Sequence, residues 1–467
     1  MLLDIEQENN TLTLSYFNKE GKTGYKVYDL GQFRNWVICG ENDKYKSDEF
    51  TNWDGGPVKS IRAKRLNKFS IYNFLEELPK EEKADIFGDN LPDTYFCDIE
   101  VEITEGFPHP EKAENKILTV SIVTPKKQVI VLGLEELTAV QQRRIKDNTN
   151  KYFKDFNHKW DFKYIHFKNE YDLVYTFLDK FVKKFPMMTG WNFIRFDWTY
   201  ILNRCKHLQI DPGVASPTGK LDGRDSFPVH VGVIDYMDLY QNWDRTISVK
   251  ESSALDYVSN TLLKIGKIKY NGNLQDLYND DFEKYIYYNA VDSILVYLID
   301  EKLKTMQTLL TLANICKIPI YKAASPVTIT ESLLARKFLK MGKVLGKDFN
   351  DNREGKSAQY TGAYVKEPVV GMHKAVASFD FASLYPSIMR QYNISPDSFI
   401  KKVPKANAKD EESDKNLVAV NGSVYERKDS ILKTTLAELY AQRKEYKAKS
   451  FQYRMLADAV KKRLKSL

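Results

Sequence analysis

Between about residues 93 and 304, apolar runs of strand length alternate with segments of helical period, and this alternation limits the chain to few architectures. The runs TYFCDIEVEI, ILTVSIV, VIVLGL and VGVIDYMDLY are interleaved with LVYTFLDKFVKKF and FEKYIYYNAVDSILVYLIDEKLK. Such alternation is what an α/β domain with a mixed central sheet shows, and that architecture is expected. At 467 residues the chain exceeds one ordinary core, and two to four domains are expected. Residues 1 to about 92 read as short strands and Gly/Asp turns ending in a helical patch around FLEELPKEEKADIFG, an N-terminal domain to which a helical segment from about 305 to 350 returns. A boundary is expected near 350. Residues from about 351 to 429 then offer the strand AVASFDF, a helix start at SLYPSIMRQ and a charged run, KKVPKANAKDEESDKN, that reads as a solvated loop. From about 430 to 467 the pattern is one long helix or two. The fold class is multidomain, α/β joined to α+β.

Hydrophobic residues at 43% and aromatics at 13% supply enough material for packed cores and exclude extensive disorder. The surplus of 7 positive charges is compatible with a polyanionic partner but specifies none. Cys39, Cys97, Cys205 and Cys316 form no metal-binding or disulfide pattern, so reduced thiols and a cytoplasmic setting are expected. The N-terminus lacks the basic flank and apolar run of a secretory signal, and no stretch approaches the roughly 18 uninterrupted apolar residues of a membrane span.

Inside the apolar runs sit acidic residues whose burial requires a reason. In YFCDIEVE, Asp98 and Glu100 are two apart and share one face of a strand. Asp197 lies among aromatic neighbours in GWNFIRFDWTYI, where desolvation is expensive without a partner. In YIYYNAVDSILVYLI, Tyr288 and Asp292 are at i and i+4 on one helical face. Taken singly these are an edge strand, a turn aspartate and a structural pair. Together, D-x-E, N-x-x-x-F-D (Asn192 through Asp197) and Y-x-x-x-D resemble, in order and in gaps of about a hundred residues, the three motifs of the DEDD exonuclease superfamily. The resemblance implies an RNase H-like domain over about 93–304 that removes nucleotides 3′ to 5′ from single-stranded DNA. It implies that Asp98, Glu100, Asp197 and Asp292 hold two Mg²⁺ ions, with Mn²⁺ as an alternative, that Tyr288 orients the attacking water, and that Asn192 contacts DNA. Hard cations take oxygen ligands, which suits carboxylates rather than His or Cys. Oxygens scattered across the fold, or joined there by lysines in place of cations, would overturn this nuclease reading.

A second resemblance lies in SFDFASLYPSIMRQYNISP, similar almost residue for residue to motif A of family B DNA polymerases, D-x-x-S-L-Y-P-S-I. It implies that Asp380 is a catalytic metal ligand closing a strand, with Phe381 contributing to the metal site. The backbone from Phe381 through Ser383 to Leu384 would meet the triphosphate of a dNTP, and Tyr385 would exclude a 2′-hydroxyl. YTGAYVKEP is similar to the family's Y-x-G-G/A element, which assigns Tyr360, Gly362 and Ala363 to the template backbone. QRKEYK places Arg443 and Lys447 at i, i+4, as on the family's triphosphate-binding fingers helix. The overall likeness is to replicative polymerases of large tailed phages, which implies the host cytoplasm. On this basis about 351–429 is a partial palm and about 430–467 the first part of the fingers. The family's K-x-x-x-N-S-x-Y-G and D-T-D-S motifs do not occur in the sequence. The expectation is therefore a split polymerase, with a truncated longer chain as the alternative: a proofreading exonuclease by itself, and a polymerase on primer-template DNA only as a heterodimer with a C-terminal chain, which would carry the sliding-clamp contact. The alternatives are a stand-alone 3′ to 5′ exonuclease with a vestigial palm and a non-catalytic DNA-binding subunit.

Overall fold

The computed structural model describes residues 1–104, 106–223, 226–243, 251–346, 364–381 and 383–465. In chain order, the first ninety residues form the strands β1 (Leu2–Glu8), β2 (Thr11–Phe17), β3 (Thr23–Asp29), β4 (Arg34–Ile38), β5 (Thr51–Asn52) and β6 (Val58–Arg62), then the helices α1 (Lys68–Glu77) and α2 (Lys80–Ile86). There follow β7 (Thr94–Val101), β8 (Ile117–Val123), β9 (Gln128–Gly133), α3 (Ala139–Tyr152), β10 (Asp161–His166), α4 (Glu170–Thr176), β11 (Met187–Gly190), α5 (Thr199–Leu208), β12 (Gly232–Asp235), α6 (Tyr236–Trp243), α7 (Leu255–Leu263), α8 (Leu274–Asp280) and α9 (Phe282–Leu303). The helices α10 (Thr305–Cys316) and α11 (Pro326–Leu339), β13 (Lys343–Val344), α12 (Leu384–Gln391), β14 (Phe399–Lys402), β15 (Asn416–Val418), β16 (Ser423–Glu426) and α13 (Ile431–Lys465) complete the chain.

Contacts divide these elements into two units. One comprises Met1–Phe33, Lys64–Leu66 and Phe74–Leu333; the other comprises Arg34–Ala63, Asn67–Asn73 and Leu334–Leu467. The first holds a six-stranded sheet in the order β10-β9-β8-β7-β11-β12. The β7–β8 and β8–β9 pairs are antiparallel, whereas β9–β10, β7–β11 and β11–β12 are parallel, so the sheet is mixed as the α/β alternation led one to expect. Every residue of β8, ILTVSIV, is buried, the signature of a central strand covered on both faces. α9 lies across β7, β8 and β9. It is buried on most of its circumference, as a helix apolar nearly all round must be, and carries a polar seam within that surface. Ser293 Oγ meets Ser121 Oγ of β8, and Thr119 Oγ1 donates to Asn289 Oδ1 at 3.1 Å, so the seam is satisfied by the strand beneath it. β1, β2 and β3 form a separate antiparallel sheet in this unit.

At the end of β11, Gly190 packs where no side chain fits. A Cβ there would lie 2.3 Å from the Cys97 carbonyl oxygen of β7 and 2.9 Å from Phe193. Gly190→Ala is expected to destabilise the first unit by about 1–3 kcal/mol or more, because the shift it forces falls on β7 beside Asp98. Thermal unfolding measures this; an unchanged midpoint would show that the two strands are not held this closely.

In the second unit β14, β16 and β15 form an antiparallel sheet, and β4 pairs with β6 and β13 with β5. The charged run expected as a loop is largely exposed, but its first residues, Lys401 and Lys402, belong to β14, and Asn416 begins β15. The C-terminal pattern is one helix, α13. A correction concerns AVASFDF, expected as a strand: residues 374–381 have no strand ladder among the described residues and are exposed. A strand is defined by hydrogen bonds to a neighbour, and no described strand lies beside this segment to receive them.

Candidate active site

Alternation along β7 sends Cys97, Ile99 and Val101 into the core and leaves Asp98 and Glu100 on the other face. β11 accompanies β7 only from Thr94 to Phe96, so beyond that point the strand edge is finished by side chains. The N–H of Ile99 donates to Asp197 Oδ1 at 2.9 Å, which carries Asp197 from the turn after β11 to the base of the same cleft. That turn includes a short π-helical stretch, Ile194–Trp198, a geometry concentrated at functional sites. From the opposite side α9 contributes Tyr288 and Asp292, whose i, i+4 spacing points both at the carboxylates.

Asp98, Glu100, Asn192, Asp197, Tyr288 and Asp292 therefore line one open cleft of about 230 Å³, together with Phe107, Trp191, Phe196 and Lys267. Ligand oxygens of Asp98, Glu100 and Asp292 lie within 4.8 Å of one another. Burial, and then the charge of Asp292, pushes the Asp98 carboxyl up to about 7. Burial and neighbouring acids push Glu100 and Asp197 well above the ordinary carboxylate range. Asp292 is raised by burial, against the opposing pull of Lys267. The Tyr288 phenol is raised by burial, then by Asp292 and Glu100, and keeps its proton. Four acids are thus concentrated where their negative charge is poorly solvated.

Sequence reasoning missed Lys267. Its Nζ donates to Asp292 Oδ2 at 2.7 Å and to Tyr288 Oη at 3.1 Å. Burial works against its charge, but Asp292 and Tyr288 more than offset this, and the ammonium is held well above its usual range. A lysine joining the carboxylates was the observation set to count against a metal site, and it is met at one carboxylate. Among the described residues no lysine or arginine pairs with Asp98, Glu100 or Asp197. Asp292 Oδ1 is buried with no hydrogen-bond partner among them. One ammonium against four carboxyl groups leaves a deficit of positive charge, and an all-oxygen donor set with an orphaned acceptor fits a hard divalent cation. Asn289, also unforeseen, donates from Nδ2 to Asp98 Oδ2 at 2.9 Å and fixes that carboxylate.

The residues of the second resemblance lie in the second unit. Asp380 and Phe381 are exposed on the segment that precedes α12, and Ser383 stands at the N-cap position of α12 with φ of 53°. Leu384 and Tyr385 occupy the first turn of α12, Tyr385 being 72% exposed. Arg443 Nη1 of α13 reaches Ser383 Oγ at 3.5 Å, and Arg390 lies over the Tyr440 ring at 5.7 Å, so α12 and α13 pack together. Lys447 is exposed on α13. Tyr360, Gly362 and Ala363 lie outside the described residues.

Comparison with known proteins finds two family models on the chain. Residues 58–259 match the family model "DNA polymerase family B, exonuclease domain", and residues 320–462 match "DNA polymerase family B". The chain belongs to the family B DNA polymerases. This family B chain is 28% identical over 385 residues to the DNA-directed DNA polymerase of Escherichia phage RB69, covering 75% of this chain and 41% of that protein. To the DNA-directed DNA polymerase of Enterobacteria phage T4 it is 26% identical over 518 aligned positions, covering 98% and 55%. An Archaeoglobus fulgidus DNA polymerase is 24% identical over 349 residues. The chain spans about half the length of these phage relatives. The mixed sheet of the first unit is accordingly the RNase H-like sheet of a family B exonuclease domain. No described helix is long and apolar enough to cross a membrane.

Proposed function

We propose that this chain shortens single-stranded DNA from its 3′ end with two Mg²⁺ ions, which Mn²⁺ can replace, held by Asp98, Glu100, Asp197 and Asp292. The observation that carries this reading is the meeting of Asp98, Glu100 and Asp292 oxygens within 4.8 Å in an open cleft. The chemistry such ions supply is activation of a water and charge relief on the scissile phosphate. Tyr288 Oη, protonated and held by Lys267, orients that water. Asn289 keeps Asp98 turned toward the phosphate. Phe107, 74% exposed at the cleft with its ring 5.6 Å from that of Phe196, offers a face on which a terminal base stacks.

Nucleotide polymerisation would use Asp380 and the backbone of Phe381 as metal ligands, with the triphosphate of the dNTP met by Ser383, Leu384, Arg443 and Lys447. Tyr385 would select deoxyribose, and Tyr360, Gly362 and Ala363 would follow the template strand. A complementary polypeptide would bring the D-T-D-S and K-x-x-x-N-S-x-Y-G motifs as the other half of a heterodimer, and the sliding-clamp contact with them. The exposed apolar side chains Val376, Phe379, Phe381 and Tyr385 offer such a partner a face to cover.

The test uses the purified chain and 5′-labelled single-stranded DNA. Shortening from the 3′ end is expected with Mg²⁺ and none with EDTA; intact DNA in both would reject the nuclease. Primer extension is expected only after the complementary polypeptide is added, and is expected to vanish with Asp380→Ala. Extension that persists in that variant would reject the palm assignment.

A further inference from the structure

The turn that delivers Asp197 also contains polar contacts for which the cleft chemistry has no use. Asn192 follows β11 with φ of 60°, a left-handed conformation that Asn tolerates better than most residues, and its side chain lines the cleft. Arg195, three residues on, donates from Nε to Asn192 Oδ1 at 3.2 Å. The same guanidinium reaches Asp238 through both terminal nitrogens, Nη1 to Oδ2 at 3.0 Å and Nη2 to Oδ1 at 2.5 Å. A guanidinium has only donors, so its contact with the amide dictates which end faces it: Oδ1 is held toward Arg195, and the Nδ2 donor is turned away from it. Asp238 sits in the first turn of α6. Three residues earlier, at the end of β12, Asp235 Oδ2 accepts the N–H of Ile194 at 3.1 Å. One strand–helix junction therefore grips both the backbone of the turn and, through Arg195, the side chain of Asn192.

An unrestrained asparagine amide rotates broadly about its last torsion, and its donor would then be presented to a ligand only part of the time. Resting on the exonuclease reading, we propose that Arg195 and Asp238 are positioning residues, a bidentate clamp that holds the Asn192 amide as a fixed hydrogen-bond donor to the DNA strand lying in the cleft. The Arg195 and Asp238 side chains are 53% and 40% exposed, so the pair adds little to folding, and its effect is read in substrate affinity.

The experiment measures KM and kcat of the full chain on a labelled single-stranded oligodeoxythymidine with Mg²⁺, and the anisotropy of the same oligonucleotide in EDTA. Asn192→Ala is expected to raise KM and the dissociation constant by about 5- to 10-fold, with kcat altered less. Arg195→Ala and Asp238→Ala are each expected to reproduce that rise, and Arg195→Ala to add nothing on the Asn192→Ala background. Arg195→Lys is expected not to rescue, since one ammonium cannot make the three contacts of the fork. Thermal midpoints should stay unchanged. Full additivity of Arg195→Ala and Asn192→Ala, or an unchanged KM in Arg195→Ala, would overturn the clamp. If the unaltered chain leaves DNA intact while the two substitutions still weaken binding non-additively, the nuclease reading falls and the clamp stands.

Discussion

Replacing Asp98 and Glu100 together by alanine is expected to slow 3′-end shortening of single-stranded DNA by roughly 10³-fold or more, because the several kcal/mol of charge stabilisation that a metal pair provides is lost with its ligands. The two carboxylates share one face of β7, and with Asp292 they form the sole group of three acids with metal-ligand spacing among the described residues. The fold should survive the change. Both groups are costly to hold charged in the metal-free protein, so the isosteric pair Asp98→Asn with Glu100→Gln should unfold at least as high as the parent at neutral pH. Loss of cleavage with an unchanged or raised midpoint identifies chemistry rather than folding as the defect. Cleavage within tenfold of the parent would overturn the assignment of these carboxylates.

The second large effect is a coupling between pH, metal and stability. A carboxyl whose pKa is raised by folding binds more protons in the folded than in the unfolded state at pH values between its two pKa values. Stability therefore falls as pH rises through that interval. For Asp98 the interval runs from the ordinary carboxylate value of 3.8 to about 7, and Glu100, Asp197 and Asp292 are displaced in the same direction. Lys267 shifts upward too, so its contribution is complete at neutral pH and is lost only in strong alkali. In EDTA the midpoint of the first unit's transition is expected to drop between pH 5 and pH 8. Mg²⁺ should restore it more at pH 8 than at pH 5, because carboxyl groups must shed their protons to bind the ion. A hundredfold excess over the dissociation constant contributes about 2.7 kcal/mol, and Asp98→Asn with Glu100→Gln should reduce the pH slope, leaving the share of Asp197 and Asp292, and remove the Mg²⁺ response. Calorimetry across pH with EDTA or Mg²⁺ reads this; an equal Mg²⁺ shift in parent and variant would place the ion elsewhere.

Lys267 bears on both results. It neutralises one oxygen of Asp292 and leaves the other buried without a hydrogen-bond partner among the described residues, so it acts as one local counter-charge among four acids. Its position beside Tyr288 also keeps the phenol within an electrostatic frame that includes Asp292 and Glu100.

Periodicity was enough to place the residues whose roles depend on local geometry. Two-residue alternation put Asp98 and Glu100 on one face of β7, and the i, i+4 rule put Tyr288 and Asp292 on one side of α9, because strand and helix periods follow from backbone stereochemistry alone. Three motifs in a fixed order then pointed to one family before any distance was known. The partners that complete the site were not legible. Lys267 to Asp292, Asn289 to Asp98 and Arg195 to Asp238 join residues 25, 191 and 43 positions apart, and no local pattern encodes which polar side chain will meet which once the sheet has closed. The expected strand AVASFDF shows the same limit from the other side: β propensity proposes a strand, but a ladder exists only where tertiary structure supplies a neighbour to hydrogen-bond. Sequence by itself determined which residue types could gather around a phosphate and on which faces they stand; only the packing of α9 and the 191–198 turn against β7 decided how close their oxygens come, and it is that closeness, through desolvation and mutual repulsion, on which the proposed cation site rests.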